Sequence, residues 1–202
     1  MRKIFLILVA VATMAFAQAN FSHGPMLGLG VVSASGNGDE FYDAASSYGV
    51  DFKFGWNFLI PVDQFIFFHT GTDIGYSIFS GDDDNDDDYH MEFWTSELQI
   101  PLAMRCTWND FYIELGTRVA INLGAGWNYF YDDEKIKSGS LDDLYKRYHI
   151  GILGVVGVSV NPFDVNLTTA YDLTSPTKNI GNGSTKNLSV DLDVIIWFGG
   201  KK

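Results

Sequence analysis

The chain has 202 residues, a formal net charge of −12 at pH 7 and an aromatic content of 15%. One domain is the simplest expectation for this length, and the acidic balance argues against nucleic acid as a partner. A single cysteine, Cys106, excludes an internal disulfide.

The first residues have the composition of an export signal. Two basic residues precede the apolar run 4–12, and small residues further on offer cleavage after Ala17 or after Ala19. The apolar run is too short to span a bilayer. We therefore expect residues 1–19 to be a signal peptide that is removed and residues 20–202 to form the mature domain.

Strict alternation characterises residues 48–58. Every second residue is large and apolar, and the residues between are small, polar or charged, with Asp51 and Lys53 near the middle. A period of two predicts a strand, because successive side chains leave opposite faces of the pleat. If the apolar face meets lipid, the sheet must close around a polar interior.

Seven other segments show related patterns, so the sequence predicts eight strands. They cover residues 26–33, 48–58, 65–79, 90–106, 111–122, 147–160, 164–173 and 187–198. Long loops, including residues 127–146, alternate with short turns, and aromatic residues gather at the strand ends as interfacial girdles would. The prediction is an all-β protein: an eight-stranded antiparallel up-and-down transmembrane β-barrel in the outer membrane.

The fourth predicted strand carries a family motif. Residues 97–105 read ELQIPLAMR, which resembles the LEIPLLLKY-type strand of the PorT-like outer membrane β-barrel family. Residues 150–158, IGILGVVGV, resemble that family's glycine-rich strand. Cys106 stands where the family usually has an aromatic residue. The resemblance implies a barrel in the outer membrane, and most members of that family have no assigned activity.

Charged residues on the polar faces predict a charge layer in the lumen. If the turn at residues 108–110 joins strands four and five, Gln99 should lie about opposite Arg118. Arg118 would then lie next to Glu97, and Arg105 would lie next to Glu114. A partner offsets the desolvation of each buried charge. The predicted layer consists of Asp51, Lys53, Asp73, Glu97, Arg105, Glu114, Arg118, Asp191 and Asp193.

Two sets of residues carry side chains of the kind that bind metal ions. An acidic run offers the hard oxygen ligands that Ca²⁺ prefers, but its spacing does not fit a calcium-binding loop, and a solvated loop tip is the favoured interpretation. The run contains Asp82, Asp83, Asp84, Asp86, Asp87 and Asp88. His69, His90 and His149 include no closely spaced ligand pair. No metal site, catalytic residue or cofactor is therefore expected, apart from weak Ca²⁺ binding by the acidic run.

The sequence favours a structural or surface-binding barrel over two alternatives. An eight-stranded barrel has room only for side chains, so an open diffusion porin is not expected. A barrel enzyme of the lipid-modifying or protease type would need a catalytic cluster at the outer rim, and none stands out. A soluble calycin-like carrier would need the opposite polarity. The expected partners are the outer-membrane lipid bilayer, the barrel-assembly machinery and an unidentified extracellular ligand or protein.

Overall fold

The computed structural model describes residues 21–36, 47–82, 89–132, 134–178 and 185–199. The predicted signal peptide lies outside these ranges, and so does most of the acidic run, residues 83–88. Within them, no helix has the length and apolarity that a membrane crossing requires. The strands are β1 (Ser22–Gly36), β2 (Ser47–Pro61), β3 (Ile66–Asp82), β4 (Tyr89–Trp108), β5 (Phe111–Tyr131), β6 (Glu134–Ser140), β7 (Tyr148–Val160), β8 (Phe163–Asp172) and β9 (Thr185–Ile196).

Eight of these strands close into a barrel. β1 to β5 pair in chain order, β5 pairs with β7, and β7, β8 and β9 continue the sheet until β9 pairs with β1. All of these pairs are antiparallel. Closure satisfies the backbone groups that an open edge would expose to lipid. The predicted all-β, eight-stranded up-and-down barrel is therefore confirmed.

The two faces of each strand have opposite polarity, as their alternation predicts. On β2, Phe52 and Phe54 are 47% and 56% exposed, whereas Asp51 and Lys53 are 2% and 7% exposed. Apolar side chains thus cover the outer wall, and charged side chains fill the interior. A soluble carrier has the reverse arrangement, so the calycin-like alternative is wrong.

The two ends of the barrel differ in their connections. Short turns join β2 to β3, β4 to β5 and β7 to β8 at one end, here called the short-turn end. His23 of β1 and Phe198 exchange backbone hydrogen bonds of 2.9 and 2.6 Å at this end, so both ends of the described chain lie there. Trp108 is 82% exposed at the short-turn end, and Tyr148 is 68% exposed towards the long-loop end. These positions suit two aromatic girdles.

The segment predicted as a loop at residues 127–146 is partly a sheet. β5 continues to Tyr131, and β6 pairs with its last residues, whereas β7 pairs only with residues 111–121 of β5. Beyond residue 121 of β5 the sheet therefore continues to β6 instead of β7. Residues 76–82 of β3, residues 89–96 of β4, residues 124–131 of β5 and β6 form a four-stranded sheet, here called the projecting sheet. The sequence did not predict β6, because its residues are almost all exposed and a strand with neither face buried lacks the alternation of polar and apolar residues.

Candidate functional site

Charged and polar side chains fill the lumen. All nine residues of the predicted charge layer lie in it, each at most 9% exposed. The structure adds further buried polar residues to the same interior, among them Asn57, His69, His149, Asp164, Asn166, Thr168 and Asp172. The cavity among these side chains in the middle of the barrel has a volume of about 40 Å³, and a second cavity of about 390 Å³ lies at the short-turn end beside Arg105 and Tyr112. The middle of the lumen is therefore packed with side chains.

Arg105 organises the part of the lumen nearest the short-turn end. Its Nε donates to Glu114 Oε1 at 2.6 Å, and its Nη1 donates to Asp164 Oδ2 at 2.6 Å. The guanidinium also lies 3.7 Å from the centre of the Tyr112 ring. The other carboxylate oxygen of Glu114 lies 2.6 Å from His69 Nδ1. The Arg105–Glu114 contact expected from the sequence is present, and Asp164 is an additional partner.

Lys53 joins acids from the first and last parts of the chain. Its Nζ lies 2.5 Å from Asp191 Oδ2 and 3.3 Å from Asp51 Oδ2. Ser77 donates a hydrogen bond of 2.9 Å to Asp51, and Thr168 donates one of 2.5 Å to Asp193. Such charge-assisted contacts are among the stronger hydrogen bonds of proteins. They connect strands on both sides of the β1–β9 pairing.

Arg118 has a different partner from the one expected. Its Nη2 donates to Asp172 Oδ1 of β8 at 2.9 Å, whereas Glu97 Oε1 lies 3.6 Å from His149 Nε2. His149 Nε2 also lies 3.4 Å from Asp172 Oδ1. The predicted Arg118–Glu97 pair is therefore wrong, and the cluster links β4, β5, β7 and β8.

The register between β4 and β5 explains this error. Arg118 lies opposite Pro101, two residues from the expected position opposite Gln99. The turn consists only of Asn109 and Asp110, so Trp108 pairs directly with Phe111. Asn109 has a φ of 53°, a conformation that asparagine tolerates better than most residues.

Glycine residues let charged side chains meet across an intervening strand. Gly151 of β7 lies between Arg118 of β5 and Asp172 of β8 in the paired registers. Gly30 of β1 lies in the same way between Asp51 and Asp191, and a Cβ added there would lie 2.7 Å from the Asp191 Cα. A larger residue would therefore displace the neighbouring strand or its carboxylate. This arrangement alternates large polar side chains with glycine around the lumen.

Acids outnumber permanent cations in the described lumen. Eight acids, namely Asp51, Asp73, Glu97, Glu114, Asp164, Asp172, Asp191 and Asp193, face three cations, namely Lys53, Arg105 and Arg118. Among the residues that the structure describes, no group of His, Cys, Asp and Glu has a metal-binding arrangement. His90 lies on the outer surface of β4, where it stacks on Phe130, apart from the two buried histidines. Neutral donors meet part of the excess: Asn57 donates to Asp73, Ser77 to Asp51 and Thr168 to Asp193.

Two buried histidines contact carboxylates: His69 contacts Glu114, and His149 contacts both Asp172 and Glu97. His69 is 6% exposed and His149 is 1% exposed. A general base must come within hydrogen-bond distance of its substrate, and the cavity beside His69 measures only about 40 Å³, far less than a typical ligand pocket. These contacts therefore suit structural roles.

Fold and lumen together define a class: a small outer-membrane β-barrel with a charged, filled interior. The family model of the outer membrane protein beta-barrel domain matches residues 16–178. The chain belongs to this family, and it is a protein of the outer membrane. The narrower PorT-like resemblance of residues 97–105 stays a prediction.

The solved structures that the chain is similar to include outer-membrane and surface proteins. The Neisserial surface protein A (NspA) is 13% identical, with 88% of this chain and 99% of that chain covered and a TM-score of 0.50. Ail, the attachment invasion locus protein of Yersinia pestis, is 10% identical, with 87% and 99% covered and a TM-score of 0.39. The outer membrane protease OmpT from Escherichia coli is 10% identical, with 89% and 96% covered and a TM-score of 0.42. No curated protein matches the chain. At these identities, the likeness to NspA supports the fold alone.

Proposed function

We propose that this protein is a non-enzymatic structural or surface-binding component of the outer membrane, with a lumen closed to diffusion. The observation that carries this proposal is the narrow middle of the lumen, where the cavity between the side chains measures only about 40 Å³. A diffusion channel needs a continuous water-filled path, whereas eight strands leave an interior that side chains can fill. The contacts of Lys53, Arg105 and Arg118 hold those side chains in place.

Ordered structure outside the eight-stranded barrel supports a role at the cell surface. The projecting sheet adds ordered surface beyond the rim, and its edge strand β6 is mostly exposed. The burial of His69 and His149 favours this role over that of a barrel enzyme. The ELQIPLAMR motif supports membership of the PorT-like family, most members of which have no assigned activity, and the N-terminal sequence supports export and delivery to the barrel-assembly machinery.

The proposed orientation places the short-turn end in the periplasm and the projecting sheet outside the cell. Short turns face the periplasm in bacterial outer-membrane barrels. An epitope tag inserted within residues 83–88 is therefore expected to bind antibody on intact cells. Labelling that appears only after permeabilisation would reverse the orientation. A tag inserted after Asn109 is the matched control and should show the opposite behaviour.

Planar-bilayer recording tests whether the lumen is closed. The purified mature protein is expected to give no stable conductance steps, because charged side chains block the path between the two ends. Heat-modifiable gel migration of the same sample shows whether the inserted protein is folded. Reproducible single-channel steps from a folded sample would contradict the proposal and indicate a pore.

A further inference from the structure

The outward face of the projecting sheet carries a polar row between two aromatic pairs. Strand register places Ser80, Glu92, Asn128 and Ser138 directly opposite one another on four adjacent strands. Directly paired residues share one face of a sheet, and neighbouring strands are about 4.8 Å apart. All four side chains are at least partly exposed. They form a continuous row of hydrogen-bonding groups that spans β3, β4, β5 and β6.

The aromatic pair nearer the membrane lies flat on the sheet. The rings of Tyr76 and Trp94 stack with centroids 6.1 Å apart and 24° between their planes. The Trp94 ring covers two glycines of β5, since a Cβ added to Gly126 would lie 2.6 Å from Trp94 Cζ2, and one added to Gly124 would lie 3.6 Å from Cζ3. The missing side chains let the indole lie against the backbone, so its other face is directed away from the sheet.

The second aromatic pair lies on the other side of the polar row. His90 and Phe130 are directly paired in register, and their rings stack with centroids 4.7 Å apart and 4° between their planes. His90 and Trp94 are four residues apart on β4, which corresponds to roughly 13 Å along a strand. An interfacial girdle explains aromatic residues at one level of the barrel. It does not explain a second pair above a polar row.

We propose that this face binds a neutral oligosaccharide chain. Sugar rings present apolar C–H groups on their faces and hydroxyl groups at their edges, so they suit flat aromatic rings on either side of donors and acceptors. Glu92 in the centre of the row accepts hydrogen bonds from hydroxyl groups and repels sulfated or carboxylated chains. The inference rests on the proposed surface-binding role and assigns the ligand class for that role.

Binding of soluble hexasaccharides tests the inference. The folded mature protein, in an amine-oxide detergent that carries no sugar head group, is titrated with maltohexaose, cellohexaose, chitohexaose and a heparin hexasaccharide. Saturation-transfer NMR and the change in tryptophan fluorescence report binding. We expect at least one neutral chain to bind, and Trp94→Leu and Phe130→Leu each to weaken binding about tenfold. Trp108→Leu, an exposed tryptophan at the opposite end, is the matched control and should leave the affinity unchanged.

Two outcomes would overturn the inference. One is that no neutral hexasaccharide binds or that heparin alone binds; the other is that the Trp94 and Phe130 variants keep the wild-type affinity. Asn128→Ala provides a further test in the polar row, and heat-modifiable migration checks that each variant is folded. Conductance of the same samples separates this inference from the proposed function. A closed barrel that binds no neutral chain contradicts only the ligand class, whereas an open channel contradicts the function.

Discussion

Replacing Arg105 by methionine is expected to lower the free energy of unfolding of the barrel by about 3–5 kcal/mol, because removing one member of a buried ion pair leaves its partner uncompensated. Glu114 and Asp164, which both contact this guanidinium, are 1% and 0% exposed. Methionine fills a similar volume but neutralises neither carboxylate. Equilibrium urea unfolding in lipid vesicles, followed by tryptophan fluorescence, measures the loss.

Arg147→Met is the matched control for this experiment. Arg147 lies just before β7 with its side chain exposed, and truncating an exposed charge changes stability by about 0.5 kcal/mol or less. Equal losses for Arg105→Met and Arg147→Met would show that the Arg105 cluster contributes nothing specific. In that case hydrophobic contacts of the wall and backbone pairing would hold the barrel together.

Arg118→Met is expected to destabilise the barrel by a similar amount, about 3–5 kcal/mol. Combining it with a second substitution shows which carboxylate is the partner of Arg118. Adding Asp172→Asn removes the carboxylate that lies 2.9 Å from the guanidinium. We expect this double variant to recover about 1–2 kcal/mol, within the range of coupling energies for contacting residues. The same urea titration measures it.

The double variant Arg118→Met with Glu97→Gln is compared with the Arg118→Met, Asp172→Asn double variant. Glu97 contacts His149 and Gln99, so its neutralisation should recover less than that of Asp172. A larger recovery with Glu97→Gln would contradict the Arg118–Asp172 contact and favour the register in which Arg118 lies opposite Gln99. The two double variants therefore discriminate between two registers of one strand pair.

The barrel was predictable because lipid imposes a simple rule on each strand. In residues 48–58 of β2 every outward residue is apolar and every inward residue is small, polar or charged, so the strand, its two faces and the closed sheet follow from alternation. The projecting sheet was not predictable in the same way. β6 reads EKIKSGS, and neither of its faces is buried deeply enough for the sequence to show a period.

The charged lumen was predictable in composition but not in its pairs. Local reasoning found Arg105–Glu114, because both residues lie near the turn that joins β4 and β5. It missed Asp164 and Asp172 as partners, since those contacts depend on how strands far apart in the chain are staggered. A shift of two residues at Asn109 also keeps every side chain on its predicted face. Such a shift therefore leaves no trace in the alternation.

The long sequence separation of the lumen contacts has a consequence for biogenesis. Lys53 enters the barrel on β2, and its shortest contact is with Asp191 on β9, 138 residues later. Arg105 and Arg118 likewise contact acids 59 and 54 residues further along the chain. A sheet that lacks β9 leaves Lys53 with Asp51 as its acidic contact, and one that lacks β8 leaves Arg118 without Asp172. Joining β9 to β1 therefore does two things in one step: it removes the last free edge and completes the contacts of Lys53, which favours completed barrels over partly formed ones.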